Sequence, residues 1–363
     1  MDHLLFKRLM MVVLIVCANR VPMAANASYP ALFAFGDSIL DTGNNNFIAT
    51  LSKCNYPPYG RDFYGGIPTG RFCDGKVPSD LIAEALGIKQ TLPAFLSGNL
   101  SPQDLATGVC FASGGSGLDS VTSTLLQVLS LTQQLGMFRD YIGRLTAVVG
   151  QQKASYIVSN GLVLLSAGNN DIGITYSTGR RPMLFPAYAS LLVGWTSNFL
   201  KDLYALGVRH VWVLSTLPLG CLPGARATVG GLLCNEFANG FAAQFNGMLQ
   251  QLTNTIRTTS PGYDVEFVDV YTPLLGLARN PFGSGFINSA NGCCGGAAVA
   301  FGELCTVLTG QCIIPSQYVF WDFAHPTQRA YEIIVSSIIK RHVLQKQNTS
   351  SLAPSIPRNL VSH

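Results

Sequence analysis

Short apolar runs alternate with helical stretches along most of the chain, and this alternation restricts the fold more than any other feature. The runs are rich in β-branched or other apolar residues and lie at 31–35, 108–112, 162–166, 208–215 and 265–270. The intervening stretches have the length and periodicity of helices and lie at 78–86, 121–144, 151–158, 188–206, 235–258 and 327–343. The repeated order of strand, helix and strand predicts a parallel sheet that helices cover on both faces.

The composition is that of a globular protein, with 48% hydrophobic and 12% charged residues among 363. A formal net charge of +4 provides no electrostatic footprint for nucleic acid. Segments 55–75 and 280–316, which Gly, Pro and Cys punctuate, are predicted to be long insertions. No boundary divides the remainder, so we predict one domain over 28–344 and a polar, flexible tail over 345–363.

The first 27 residues have the order of features that is typical of an export signal. Lys7 and Arg8 precede an apolar run at 9–18, which is too short to span a bilayer. Residues 25–27 (ANA) then offer a cleavage site, so a secreted chain is expected to begin near Ser28. No other stretch predicts a membrane span. Two sequons suit an exported glycoprotein, at Asn99 and Asn348.

Cysteine usage agrees with export, because loop-like surroundings favour disulfides in a secreted domain. Cys17 lies in the predicted signal, which leaves nine of the ten cysteines. We predict two disulfides, Cys54 with Cys73 and Cys221 with Cys234. The pairing within the late cluster stays unresolved; its members are Cys293, Cys294, Cys305 and Cys312. Cys110, in an apolar run, is predicted to be a buried free thiol. A zinc site in the late cluster is less favoured, because CxxC pairs and a nearby histidine are missing.

Polar and glycine-rich sequence follows three of the predicted strands. These strand ends are residues 36–38 (GDS), 113–117 (SGGSG) and 168–171 (GNND). Because ligands of open parallel sheets bind outside the carboxyl ends of the strands, all three should face one crevice. Ser38 is the candidate nucleophile in that crevice, although a plain turn would explain the same residues.

A serine hydroxyl needs a base, and elimination among the five histidines leaves His325. Asp322, three residues earlier, can reach back to the imidazole Nδ1 if the segment turns. Alternatively, Asp322 caps a turn and His325 is an ordinary surface residue. The other histidines are excluded by position: His3 in the signal, His363 in the tail, His342 at the end of a basic helix and His210 at the start of the fourth predicted strand.

Acyl transfer builds negative charge on a carbonyl oxygen, which needs hydrogen-bond donors. The predicted donors are the Ser38 N–H, the Gly114 N–H, which no Cβ obstructs, and the Asn170 side-chain amide. The alternative is that Gly114 begins a mobile turn and that Asn170 belongs to a helix cap.

Motifs of competing enzyme classes are missing from the sequence. We find no GxSxG, GxxxxGK[ST], HExxH or GxGxxG pattern. Asp37, Asp41 and Asp171 could form an acidic metal cluster, but their Asn and Gly neighbours suit backbone hydrogen bonding better. No metal or other cofactor is therefore expected.

Four ordered blocks resemble those of the GDSL esterase/lipases, in the SGNH hydrolase superfamily. They are residues 36–45 (GDSILDTGNN), 111–115 (FASGG), 168–171 (GNND) and 322–327 (DFAHPT). Residues 56–63, 69–72, 218–221 and 292–295 look like the plant extracellular branch, and the resemblance runs from about residue 30 to 343. The chain departs from the family pattern at 296–300, beside the expected acyl pocket, and at Cys110.

The resemblance implies a three-layer α/β/α, flavodoxin-like fold with a five-stranded parallel sheet. It implies Ser38 as the nucleophile and Asp322 and His325 as its triad partners. It also implies that Ser38, Gly114 and Asn170 donate to the oxyanion.

The expected function is that of a secreted plant serine esterase or lipase, in the apoplast or cell wall. Its substrate would be an ester of a lipid or of an acylated wall or coat compound, cleaved through an acyl-enzyme. One alternative is an acyltransferase that uses the same triad with an alcohol acceptor. Another is a wall or coat protein that binds lipid or glycan without turnover. Neither nucleic acid nor a membrane span is expected, and the oligomeric state stays open.

Overall fold

The computed structural model describes residues 29–295 and 305–344. The predicted signal segment, the tail with the Asn348 sequon, and the departure at 296–300 lie outside the described residues. Among the helices that the structure does describe, none is both long and apolar enough to cross a bilayer.

A parallel sheet with strand order β1-β2-β3-β4 forms the centre of the fold. Its strands are β1 (Leu32–Gly36), β2 (Leu162–Ser166), β3 (His210–Leu214) and β4 (Asp264–Val268). Every residue of β1 and β2 is buried. Continuous burial along a strand is typical of a parallel sheet with both faces covered, as the alternation of the sequence predicts.

The predicted strand at 108–112 is not a strand of this sheet, so the expected number of five strands is wrong for the described residues. The segment runs along the edge of β1 and joins it by one bridge, at Ala34. Phe111 and Ala112 both donate their N–H groups to the Ala34 oxygen, which breaks the regular ladder. The other side of the segment bonds to residues 93–95.

Helices follow the strands as predicted, with different bounds. The α-helices are α1 (Pro78–Ala85), α2 (Pro102–Thr107), α3 (Ser120–Leu126), α4 (Leu131–Val149), α5 (Gln151–Asn160), α6 (Phe185–Ala205), α7 (Pro223–Ala227), α8 (Glu236–Thr259), α9 (Tyr271–Arg279) and α10 (Gln328–Ile339). Two π-helical segments are Asp171–Tyr176 and Lys340–Leu344. The 3-10 turns are Asn44–Phe47, Tyr64–Gly66, Phe95–Ser97, Leu219–Cys221, Phe282–Ser284 and Pro315–Gln317.

The predicted helix at 121–144 is two helices, α3 and α4. Gln127 has a φ of 53°, which a continuing helix does not allow, and it ends α3. Ser130 then begins α4, because its hydroxyl accepts the Gln133 N–H and the Gln133 side chain accepts the Ser130 N–H.

The register of the sheet shows that helices cover both of its faces. Trp212 and Glu266 are neighbours across β3 and β4. Both contact His342, which follows α10, so the C-terminal helix lies on this face. Phe33 points to the opposite face and packs edge-on against Phe138 of α4. The architecture is therefore the expected α/β/α sandwich.

The predicted insertion at 280–316 contains a strand that sequence reasoning missed. This strand, β5 (Asn288–Gly292), pairs in parallel with β6 (Tyr318–Phe320). Its sequence NSANG is typical of a turn rather than of a strand, which explains the error. The β5–β6 pair leads directly into Asp322 and His325.

Candidate active site

The end of β1 places Ser38 at the carboxyl edge of the sheet. Gly36 has a φ of +119°, and a Cβ on it would lie 1.8 Å from the Ser166 oxygen, so only glycine fits beside β2. The Gly36 N–H donates to Gln134 Oε1 at 2.8 Å, and the Asp37 N–H donates to the Ser166 oxygen at 3.0 Å. The chain then leaves the sheet with the Ser38 side chain almost buried, at 8% exposure.

The structure brings Ser38, His325 and Asp322 into one chain of contacts. His325 Nε2 lies 2.8 Å from Ser38 Oγ. His325 Nδ1 lies 2.9 Å from each carboxylate oxygen of Asp322. The N–H groups of Ala324 and His325 also donate to Asp322 Oδ1, each at 2.8 Å. Asp322 thus both reaches the imidazole and caps a turn, whereas His325 is buried, at 7% exposure, and is not the surface residue of the alternative.

The Asp322 carboxylate is fully buried, and its surroundings keep it ionised. Burial by itself raises the pKa of Asp322. The charge of His325 and hydrogen bonds from His325, Ala324 and Tyr59 outweigh burial, so the pKa lies below its usual value. A negative Asp322 is the form that can stabilise a protonated imidazole.

The β5–β6 pair holds the turn that carries Asp322 and His325. The Trp321 N–H donates to the His325 oxygen at 2.7 Å and closes the turn. The N–H groups of Cys293 and Cys294, just after β5, donate to the oxygens of Phe320 and Trp321. Disulfides fasten this support to the rest of the insertion: Cys293–Cys312 and Cys294–Cys305.

Tyr59 is a residue at this site that sequence reasoning missed. Its hydroxyl donates to Asp322 Oδ2 at 2.8 Å, across 263 positions of the chain. Tyr59 follows the cis peptide bond between Pro57 and Pro58 and is buried. No local signal in the sequence distinguishes it from a loop tyrosine.

The three predicted oxyanion donors differ in their present hydrogen bonds. Among the described residues, none accepts a hydrogen bond from the Ser38 N–H. One amide hydrogen of Asn170 is donated to the Ser116 oxygen at 2.9 Å, which leaves the second. The Gly114 N–H donates to Asp41 Oδ2 at 2.9 Å, and this bond would have to break before the N–H could donate to an oxyanion.

Gly114 also has a packing role, separate from its predicted role as an oxyanion donor. A Cβ on Gly114 would lie 2.2 Å from the Phe72 ring, so a larger residue would displace that ring. The Phe72 ring centroid lies 5.2 Å from that of His325. Glycine at 114 therefore lets an aromatic wall approach the imidazole.

The three aspartates considered from the sequence as a metal cluster each accept hydrogen bonds from a different set of groups. Asp37 accepts from Ser166 Oγ and Asn169 Nδ2, each at 2.9 Å. Asp171 accepts from the main chain at 118 and 119 and from the Thr122 hydroxyl. Within residues 29–295 and 305–344, no group of His, Cys, Asp and Glu has an arrangement that could hold a metal ion.

The asparagines after Ser38 join the first and second sequence blocks. Asn44 Nδ2 donates to the Cys110 and Ala112 oxygens, and Asn45 Nδ2 donates to the Gly114 oxygen. These buried amides satisfy main-chain groups of the edge segment, which a regular strand ladder would otherwise satisfy.

The disulfides settle the cysteine predictions. Cys221–Cys234 is confirmed, and Cys110 is a free, buried thiol as predicted. The predicted Cys54–Cys73 bond is wrong, because both thiols are free and buried in different clusters. Cys54 packs beside Tyr59, whereas Cys73 Sγ lies 3.1 Å from Asp74 Oδ1 and 3.5 Å from the Pro326 oxygen, either of which can accept its single hydrogen.

The remaining predicted positions take no part in the contacts among Ser38, His325 and Asp322. His210 begins β3, the third rather than the fourth strand of the sheet, at the opposite end from Ser38. His342 contacts Glu266 at 2.8 Å. Asn99 lies exposed in a loop before α2, where a glycan would have room, and its glycosylation stays a prediction.

Comparison with known proteins shows the family to which this chain belongs. The family model described as GDSL-like Lipase/Acylhydrolase matches residues 32–338. Three GDSL esterase/lipases of Arabidopsis thaliana are 49%, 50% and 46% identical to this chain. The alignments cover 94%, 87% and 91% of this chain and 98%, 90% and 96% of those proteins. The chain therefore belongs to the GDSL-like lipase/acylhydrolase family of ester hydrolases.

Proposed function

We propose that this protein is a secreted plant serine hydrolase that cleaves carboxylic esters through an acyl-enzyme formed on Ser38. One observation carries the proposal: Ser38 Oγ lies 2.8 Å from His325 Nε2, and the opposite ring nitrogen lies 2.9 Å from the buried Asp322 carboxylate. A hydroxyl, an imidazole and an ionised carboxylate in this order form the arrangement that activates serine as a nucleophile.

The reaction follows from these positions. Ser38 Oγ attacks the ester carbonyl carbon while its proton passes to His325 Nε2. Asp322 keeps the Nδ1 proton in place and stabilises the imidazolium. The tetrahedral intermediate then collapses, and the leaving alkoxide takes the proton from His325. Water repeats the sequence on the acyl-enzyme, which releases the carboxylic acid and restores Ser38.

The developing oxyanion needs donors, and the three candidates differ in readiness. The Ser38 N–H and one Asn170 hydrogen carry no other bond among the described residues. Gly114 would join them only by exchanging the Asp41 carboxylate for the oxyanion. Loss of one such donor typically costs about 10²–10³ in rate.

Secretion to the apoplast or cell wall is part of the proposal. The signal-like residues 1–27 and the disulfides between described cysteines support it, because disulfides persist in oxidising compartments. The substrate class that we propose is an ester of a lipid or of an acylated wall or coat compound. Phe72 and Phe323, whose rings lie 5.2 and 6.3 Å from that of His325, support an apolar group in the substrate.

A fluorophosphonate probe tests the nucleophile, and p-nitrophenyl esters of increasing chain length test the substrate. We expect the wild type to label and to hydrolyse esters, and Ser38→Ala to lose the label and at least about 10⁴-fold in kcat/KM. Ser190→Ala, the same change on the exposed face of α6, is the control and should match the wild type.

Two results would overturn the proposal in favour of the alternatives. A folded wild type that never labels would indicate a protein that binds lipid or glycan without turnover. Transfer of the acyl group to an added alcohol, faster than to water, would indicate an acyltransferase that uses the same three residues.

A further inference from the structure

We propose that Tyr59 is a positioning residue for the reaction, holding the Asp322 carboxylate in the orientation that its contact with His325 requires. This inference rests on the proposed function. It assigns a specific role to the insertion at 55–75, whose Tyr59 precedes Asp322 by 263 positions in the chain.

The two oxygens of Asp322 have unequal support. Oδ1 accepts the N–H groups of Ala324 and His325, both from the turn that Asp322 itself begins. Among the described residues, Oδ2 has one partner besides the imidazole, which is the Tyr59 hydroxyl at 2.8 Å. Without that hydroxyl, the described residues would contact Oδ2 only through the imidazole of His325, the group that Asp322 has to orient, and the two donors on Oδ1 would still leave the carboxylate able to rotate.

Tyr59 is held rigidly enough to act as a fixed donor. Its side chain is 4% exposed, and its ring meets those of Trp321 and Tyr56 edge-on at 6.2 and 5.6 Å. The Tyr59 N–H donates to the Tyr56 oxygen at 3.2 Å, and the following Gly60 N–H donates to the Cys73 oxygen at 3.0 Å. Because hydrogen bonds hold the main chain of Tyr59 and neighbouring rings hold its side chain, little conformational entropy is lost when the hydroxyl donates to Asp322.

The hydroxyl stays a donor over the whole working range of pH. Burial, and then the negative charge of Asp322, raise the pKa of Tyr59 well above its usual value. The Tyr59 hydroxyl therefore keeps its proton and is able to donate to Asp322.

Loss of the hydroxyl has a predictable direction. A carboxylate that shares its charge with fewer donors attracts the imidazolium more strongly, so the acid limb of the pH–rate profile moves to higher pH. A looser carboxylate also orients the imidazole less well, so kcat decreases. Other titratable groups also face this pair and are unchanged by the substitution: Asp37 towards His325, and Cys54, Tyr56, Cys73 and Tyr331 towards Asp322.

The test is Tyr59→Phe, compared with Tyr56→Phe in the same loop. Tyr56 packs on Tyr59, but among the described residues the Tyr56 hydroxyl makes no hydrogen bond, whereas that of Tyr59 does. Tyr56→Phe is therefore the matched control, because it removes a tyrosine hydroxyl from the same loop without removing a contact to Asp322. Hydrolysis of p-nitrophenyl butyrate is measured from pH 5 to 9, and each rate is divided by the fraction of protein that a fluorophosphonate labels. This division removes any misfolded enzyme from the comparison.

We expect Tyr59→Phe to lower kcat about tenfold with KM within about twofold, and to move the acid limb upward by about half a pH unit. Tyr56→Phe should change neither quantity. The inference is overturned if Tyr59→Phe keeps the wild-type kcat and acid limb, or if both variants lose kcat equally without a shift. Failure of the proposed function is distinguishable, because the wild type itself would then not label; that result would overturn both.

Discussion

Gly292 lies directly behind Asp322, so close that its missing side chain is a structural requirement. A Cβ on Gly292 would lie 2.7 Å from the Asp322 carbonyl oxygen and 2.9 Å from its Cα. Both contacts are to main chain, which cannot turn aside as a side chain can. The β5–β6 pair therefore holds the main chain of Asp322 by close packing as well as by hydrogen bonds.

Gly292→Ala should displace Asp322 and lower activity. We expect kcat/KM to decrease at least about tenfold and the free energy of unfolding to decrease by about 1–3 kcal/mol, as overpacking typically costs. Ester hydrolysis and urea unfolding measure the two effects. Gly143→Ala, at an exposed position of α4 with open space around it, is the control and should stabilise by about 0.5–1 kcal/mol. Wild-type activity in Gly292→Ala would contradict this account of the contact.

Asp41 should make the protein less stable as the pH rises from about 4 to 6. Burial raises the pKa of Asp41 to about 6, although hydrogen bonds from the N–H groups of Gly43, Gly114 and Asn44, and the charge of Arg71, oppose the rise. The folded protein therefore keeps a proton in this range that the unfolded chain releases. The penalty for ionising Asp41 is absent below about pH 4 and complete above about pH 6, at up to about 3 kcal/mol.

Urea unfolding at pH 4, 5, 6 and 7 measures this dependence. Asp41→Asn cannot ionise, so its unfolding free energy should decline less than that of the wild type between pH 4 and 6. Burial also raises the pKa of Asp74 and Asp171 to about 6, so only the difference between wild type and variant is assigned to Asp41. Asp140→Asn, on the surface of α4, controls for loss of a charge. Parallel profiles for wild type and Asp41→Asn would refute the prediction.

The mature protein should contain three free thiols. Cys54, Cys73 and Cys110 are unpaired, and the other six cysteines after residue 27 form three disulfides. Because all three thiols are buried, we expect them to react with Ellman's reagent only after unfolding in guanidinium. A count of one thiol in the unfolded, unreduced protein would instead show that Cys54 and Cys73 form a disulfide. Cys110→Ser should lower the count to two.

Asn99 should carry a glycan when the full chain passes through a secretory pathway. Asn99 is exposed, and Ser101, two residues later, caps the start of α2. Glycosidase treatment should therefore lower the mass of the secreted wild type, and the decrease should be smaller for Asn99→Gln. Asn55→Gln, at an exposed asparagine outside any sequon, is the control. Equal mass decreases for wild type and Asn99→Gln would show that Asn99 is not modified.

Local patterns were sufficient to predict the layers of the fold and the chemical groups of the candidate site. The apolar run at 162–166 is β2 with the same bounds. The run at 108–112 has the same apolar character and is not a strand of the sheet, because it joins β1 only by a bridge at Ala34 and forms other hydrogen bonds with Asn44 and residues 93–95. Periodicity reports which residues are buried, whereas pairing depends on partners elsewhere in the chain.

The sequence by itself determined the alternation of strands and helices, and it narrowed the catalytic candidates to one serine and one histidine. The tertiary structure decided that Tyr59 meets Asp322, that Gly292 lies behind it, and that Asp41 holds the Gly114 N–H. It also decided which cysteines pair. The physical reason is range: strand and helix patterns repeat every two to four residues, whereas each of these contacts joins residues between 11 and 263 positions apart.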